Sequence, residues 1–261
     1  MLIEKNKKEV SNKEMIQVEG LTKIFQDKKR GKIVAINNLN FNCPKGQVFG
    51  LLGPNGAGKT TTLRILATMM LPTKGVLTVN GLDVVRNAAK VRRQIGFLSS
   101  ETGLYDRFTP RETVLFFGRI NGMEDKIIKK KMTEIFQNLD MGDFQDVRVN
   151  KLSTGMKQKL SIARSIIHNP PVLILDEPTV GLDIITAKTV IEYVKSFRDQ
   201  GKCIIYSTHI MREAEKMCDM IAIIHQGNLI TQGTLDELKK NSKFNDLDEI
   251  FFELINQGEN L

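Results

Sequence analysis

No apolar run in this sequence approaches the ~18–20 residues that a bilayer-spanning helix requires. The segment from Met1 to Glu14 is charged, without the hydrophobic centre of a secretory leader. A soluble, cytoplasmic chain is expected. Cysteine is scarce: Cys43, Cys203 and Cys218 stand far apart in the sequence, lack metal-ligand spacing and are odd in number, which argues against a disulfide framework and predicts reduced core residues. There is no internal repeat, no low-complexity linker and no concentrated basic arm. The formal charge is +8 at pH 7, but the lysines are spread along the chain, so a generally basic surface is expected and a nucleic acid partner is not. Lys129-Lys130-Lys131 is the densest cluster, and Ile127, Ile128, Ile135 and Phe136 around it mark the polar side of an amphipathic helix. What is present, 261 residues of which 41% are hydrophobic, suffices for one large domain or one domain with a smaller lobe.

Short apolar or alternating segments at Met15–Phe25, Asn37–Cys43, Val48–Leu52, Val76–Val79, Ile95–Leu98, Val172–Leu175, Cys203–Tyr206 and Met220–His225 read as strands, bounded by turn signals such as Pro44-Lys45-Gly46 and Asn80-Gly81. Helical periodicity covers Thr61–Met70, Pro110–Asn121, Glu124–Asp140 and Ser153–Ile167, where Met156, Leu160, Ala163 and Ile167 share a face. Strands alternating with helices on both sides of a helix-rich middle predict an α/β core interrupted by a helical insertion at about residues 100–168. The expected organisation is a polar extension over 1–14, the main domain over 15–240, and an amphipathic extension over 241–261 that includes Ile250-Phe251-Phe252-Glu253-Leu254-Ile255. A hairpin is expected at Gln226-Gly227-Asn228.

Gly53-Pro54-Asn55-Gly56-Ala57-Gly58-Lys59-Thr60 reads G-x-x-x-x-G-K-T between the Val48–Leu52 strand and a helix led by Thr61. Glycines at these positions let the backbone turn tightly with its N–H groups inward, forming an anion nest that the positive end of the following helix reinforces. Lys59 adds a point charge for β/γ-phosphates, and the Thr60 hydroxyl stands where such a loop holds Mg²⁺. The segment through Thr61 therefore implies an ATP or GTP site.

Val172-Leu173-Ile174-Leu175-Asp176-Glu177 is an apolar run ending in two carboxylates, as a buried strand would deliver them to a sheet's C-terminal edge. Asp176 can bind Mg²⁺ directly or through water, and Glu177 can orient or deprotonate the water that attacks a γ-phosphate. Upstream, Leu152-Ser153-Thr154-Gly155-Met156 is a small polar turn opening a helix. Ser153 is either an ordinary N-cap or, with the Gly155 N–H, a second phosphate-reading terminus. Because the first loop already encloses its own nucleotide, that second terminus would serve a nucleotide bound by another chain, which predicts a dimer.

With Pro178-Thr179-Val180-Gly181-Leu182-Asp183 and Tyr206-Ser207-Thr208-His209 added, the ordered set of motifs resembles the ATP-binding subunits of ABC transporters over roughly residues 15–235. The resemblance implies a P-loop NTPase (RecA-like) α/β core with an N-terminal antiparallel β subdomain and an inserted helical subdomain. It implies ATP with Mg²⁺ as cofactors, hydrolysis coupled to transport, a second ATPase subunit, a separate transmembrane permease, and a place on the inner face of the cell membrane. By the same resemblance Phe25 stacks on adenine with Val34 alongside, His209 contacts the γ-phosphate, and Pro178–Asp183 is the D-loop, with Asp183 among the nucleotide-binding residues; His168 and His225 match nothing functional. Two motifs depart from the family: the signature at Thr154 and Met156, and the loop at Ser100, which stands in place of a metal-contacting glutamine. Gln94 lies on the wrong side of its strand to substitute, and Glu101 is the rival of Ser100. Ser-Ser-Glu-Thr-Gly-Leu-Tyr together with Ser-Thr-Gly-Met-Lys-Gln-Lys is most similar to the sodium-exporting branch of bacterial ABC-2-type exporters. Drug, lipid or peptide export, and action on nucleic acid or ribosomes, are the alternatives.

Overall fold

A computed structural model of the protein describes residues 14–29, 31–99 and 103–258. All but Glu14 of the N-terminal extension, and both Ser100 and Glu101, lie outside the described residues. The elements run β1 (Glu14–Asp27), β2 (Gly31–Pro44), β3 (Val48–Leu52), α1 (Lys59–Leu66), β4 (Lys74–Val79), β5 (Leu82–Asp83), α2 (Ala88–Arg92), β6 (Ile95–Leu98), α3 (Pro110–Ile120), α4 (Asp125–Asn138), α5 (Thr154–Ile166), β7 (Val172–Asp176), α6 (Ile184–Asp199), β8 (Cys203–Thr208), α7 (Met211–Met217), β9 (Met220–His225), β10 (Asn228–Gly233), α8 (Leu235–Lys240) and α9 (Leu247–Gly258).

Among the described residues these strands form two sheets. One is antiparallel, in the order β2-β1-β4-β5; the other is six-stranded, β10-β9-β3-β8-β7-β6, with all its strands parallel except β10. The chain thus has the P-loop NTPase architecture. β3, β7 and β8 are buried at every position, as strands covered on both faces must be. Successive side chains point to opposite faces: Ile174 and Ile205 join Phe49, Leu51 and the antiparallel sheet in one core, while Leu173, Leu175, Ile204 and Tyr206 join α3 to α6 in another. A third cluster, with Leu52, Met211, Ile223, Leu247 and Phe251, holds α9 against α7.

Local signals explain several boundaries. α3 opens on a capping box, Thr109 with Glu112, and carries Pro110 at its first turn, where a missing N–H costs nothing. α4 buries Ile128, Met132, Ile135 and Phe136, leaving Lys129 and Lys130 in solvent, but Ile127 is exposed with them because it lies off the 3.6-residue stripe. α1 stops at Leu66, four residues short of the periodic pattern, because Thr68 takes a left-handed φ of 62°. β2 begins at Gly31, ahead of its apolar run, because Lys32, Ile33 and Val34 pair across a hairpin with Gln26, Phe25 and Ile24. α6 and α7 are not among the helices expected from the sequence, although Val190, Val194 and Phe197 form a buried stripe at helical spacing in α6, which starts where the Asp183 side chain accepts hydrogen bonds from the N–H groups of Ile185 and Thr186.

Candidate functional site: a phosphate cavity at the ends of three strands

The loop from β3 to α1 turns through two left-handed glycines, Gly56 at φ 83° and Gly58 at φ 105°. A Cβ on Gly58 would meet the Ala35 carbonyl oxygen at 2.7 Å, so side chains are excluded there by contact as well as by conformation. The loop rims a cavity of about 190 Å³ lined by Ala35, Pro54–Thr61, Asp176 and Glu177. The predicted phosphate loop and the two strand-terminal carboxylates therefore converge on one small space.

Lys59 is buried and donates to the carbonyls of Gly53 (2.6 Å) and Pro54 (3.1 Å), with its ammonium 3.5 Å from Glu177 Oε1. Burial holds its pKa below the ordinary lysine value, opposed by Glu177 and, more weakly, Asp176. Folded back on its own loop, the lysine is 5% exposed and lines the cavity.

Asp176 is 2% exposed, and its Oδ1 accepts a 2.6 Å bond from Ser207 Oγ. The same hydroxyl accepts from Glu177 N at 3.1 Å, and that N–H is shared with the Ser207 carbonyl. Glu177 adopts φ 48°, and its Oε1 lies 3.0 Å from His209 Nδ1. One serine thus holds the Asp176 carboxylate and the Glu177 backbone, and the Glu177 carboxylate links the buried lysine to the histidine. Ser207 stands inside the motif that ends in His209, where only the histidine has an expected role.

The remaining predicted residues lie elsewhere. Ser153 caps α5, accepting from Met156 N at 3.3 Å, and a Cβ on Gly155 would touch Thr186 Cγ2 at 3.4 Å. Ser153, Gly155 and Asp183 are thereby gathered at the N-termini of α5 and α6, beside the exposed Ile184 and Ile185, and line no part of the phosphate cavity. Hydrogen bonds from Thr186 hold the Asp183 carboxyl below its usual range. Phe25 and Val34 sit on the β1–β2 hairpin, with Val34 50% exposed and Lys23 Nζ 5.0 Å above the Phe25 ring; neither lines the cavity, whereas the adjacent Ala35 does. Gln94 is at the start of β6, bonded to Asn80. His168 bonds the Ile95 carbonyl, and burial lowers its pKa. Cys43 and Cys203 are free and buried with their sulfurs 3.1 Å apart, although 160 residues separate them. A larger groove of about 620 Å³ between α4, α5 and α6 contains none of the predicted site residues.

These features agree with the comparisons to known proteins. A family model described as ABC transporter matches residues 36–180. The ABC transporter ATP-binding protein NatA of Bacillus subtilis (strain 168) is 40% identical over 245 residues, covering 94% of this chain and 99% of that protein. Nod factor export ATP-binding protein I of Ralstonia nicotianae is 39% identical, covering 86% of this chain and 68% of its own. The solved dimeric structure of a bacterial ABC transporter cassette superposes with a TM-score of 0.79 at 26% identity, covering 84% of this chain and 98% of that one. The chain belongs to the ATP-binding subunits of ABC transporters and is an ATPase. Among the described residues no helix is long and apolar enough to cross a membrane.

Proposed function

We propose that this subunit binds Mg²⁺-ATP in the cavity between the Gly53–Thr61 loop and Asp176-Glu177, dimerises head to tail over two such nucleotides, and drives export through a separate membrane permease from the inner face of the membrane. The convergence of the anion nest, a buried lysine and two carboxylates on one cavity carries this reading. The backbone N–H groups and Lys59 would hold phosphate, while Thr60 and Asp176 have the oxygen chemistry for Mg²⁺. With the metal bound, charge developing on the transferred phosphoryl group is neutralised. Glu177 orients or deprotonates the attacking water, and His209, bonded to that carboxylate, contacts the γ-phosphate. The exposed Ser153, Asp183, Ile184 and Ile185, with the half-buried Gly155 beside them, fit an interface with a second ATPase subunit, identical or related. Sodium is the proposed cargo, on the motif resemblance alone.

Two variants separate binding from chemistry. Lys59→Ala is expected to lose tight ATP binding. Glu177→Gln is expected to keep it while losing ~10²–10⁴-fold in turnover, or ~3–5.5 kcal/mol of barrier. Equal loss of affinity in both, or near-normal turnover of Glu177→Gln, overturns the assignment. The cargo is tested in inverted vesicles carrying this subunit with a membrane permease that co-purifies with it: ATP-dependent ²²Na⁺ uptake supports sodium, and ATP turnover without it removes sodium and leaves the ATPase reading standing.

A further inference from the structure

Glu213 lies in the first turn of α7, outside the phosphate cavity, and none of the motif readings uses it. Its Oε2 receives hydroxyl hydrogens from Thr179 Oγ1 (2.8 Å), Tyr206 OH (2.9 Å) and Thr208 Oγ1 (3.4 Å). All three donors are almost completely buried, and Thr208 Oγ1 also accepts from Ile210 N at 2.9 Å. Burial, and then the neighbouring carboxylate, push the Tyr206 phenol far above its ordinary pKa, so it remains a donor. An ionised carboxylate offers only acceptor lone pairs, and three hydroxyls pointing at one oxygen match it.

The donors belong to two segments with different tasks. Thr179 is in the loop that follows Asp176-Glu177 and leads to the Asp183 cap of α6; Tyr206 and Thr208 end β8 immediately before His209. Ser207 on β8 already holds the Asp176 carboxylate and the Glu177 N–H, and Glu213 ties the next part of that loop to the same strand from α7. We infer that Glu213 is a positioning residue for ATP hydrolysis: its carboxylate sets the Thr179 loop and the His209 segment in register, so that Glu177 and His209 meet at the γ-phosphate position. This rests on the reading of Glu177 and His209 given above. A merely structural carboxylate would stabilise the fold without affecting turnover by the folded protein.

The test is steady-state Mg²⁺-ATP hydrolysis by the full chain, with melting temperature measured alongside. Because misplacement of reacting groups by about 1 Å costs up to ~10²-fold, Glu213→Ala is expected to lower kcat by roughly ten- to a hundredfold with KM for ATP within about twofold. Glu213→Gln, which keeps an acceptor oxygen, is expected to recover most of that loss. Thr179→Val is expected to lower kcat in the wild-type background and to add nothing in Glu213→Ala. Unchanged kcat, a rise in KM alone, or additive losses of Thr179→Val and Glu213→Ala overturns the inference. Should Glu213→Ala not fold, the kcat and KM of Glu213→Gln and Thr179→Val decide it: a fall confined to kcat in Thr179→Val, with Glu213→Gln near wild type, supports it, and wild-type kcat in Thr179→Val refutes it. Wild-type turnover in a parallel Glu177→Gln control would instead indict the reading of the site.

Discussion

Replacing Ser207 by alanine removes one hydroxyl from the middle of the site, and the structure separates what is lost from what is kept. The Glu177 N–H retains the Ser207 carbonyl at 3.1 Å, so that donor stays satisfied. Asp176 Oδ1 loses a 2.6 Å bond from a hydroxyl, on a carboxylate only 2% exposed. A hydrogen bond to a charged group contributes about 1.5–3 kcal/mol. At about 2–4 °C per kcal/mol for a chain of this size class, the melting temperature should fall by about 3–12 °C. The lower end applies where water from the adjoining cavity replaces the hydroxyl. Calorimetry of Ser207→Ala without nucleotide measures this directly. The discriminating measurement is the double-mutant cycle with Asp176→Asn: if the hydroxyl acts on the carboxylate, the two losses should fall short of additivity by about 0.5–3 kcal/mol. A melting temperature within about 1 °C of wild type, corresponding to less than about 0.5 kcal/mol, would refute the claim that the Ser207 hydroxyl stabilises the fold through its bond to Asp176. Fully additive losses would refute it equally.

If Ser153 and Gly155 serve the neighbour's nucleotide, mixing Gly155→Asp chains with Lys59→Ala chains should restore partial turnover, because the mixed dimer holds one intact composite site; proven heterodimers without turnover would exclude sharing. Phe25→Ala should weaken ATP and GTP binding alike by ~1–3 kcal/mol, the scale of base–aromatic stacking, with Phe25→Tyr near wild type; unchanged affinity would return Phe25 to an ordinary packing role. Lys202 has its pKa lowered to about 8 by burial and, secondarily, by Lys131. Between about pH 8 and the unfolded lysine value of ~10.4 the unfolded chain holds the extra proton, so this group makes stability rise with pH. Lys202→Met should therefore lose ground to wild type between pH 8 and 10 in paired melts, and a pH-independent difference would show that the shift is absent.

The tight turn between β3 and α1 was legible because its signals are local. Gly56 and Gly58 supply backbone conformations that L-residues rarely adopt, and the helix that begins at Lys59 follows directly. The same locality made Asp176-Glu177 readable as the end of a buried strand, and Ser153 and Asp183 are caps whose side chains satisfy N–H groups two or three residues ahead. Helical stripes exposed α3, α4 and α5. α7 is too short for periodicity to register, and its place is set by packing Met211, Ala214 and Met217 against strands and α9.

What spacing along the chain could not supply is which distant segments become neighbours. The order β3-β8-β7 puts the end of β8 between the phosphate loop and the carboxylates, and only that order makes Ser207 a partner of Asp176 and brings His209 to Glu177. Glu213 gathers donors from two loops in the same way, and Cys43 meets Cys203 across two sheets. Sequence determined the chemistry of each segment through local conformational preference. Tertiary structure decided the constellation, because strand order and buried packing set distances between residues that no local preference relates.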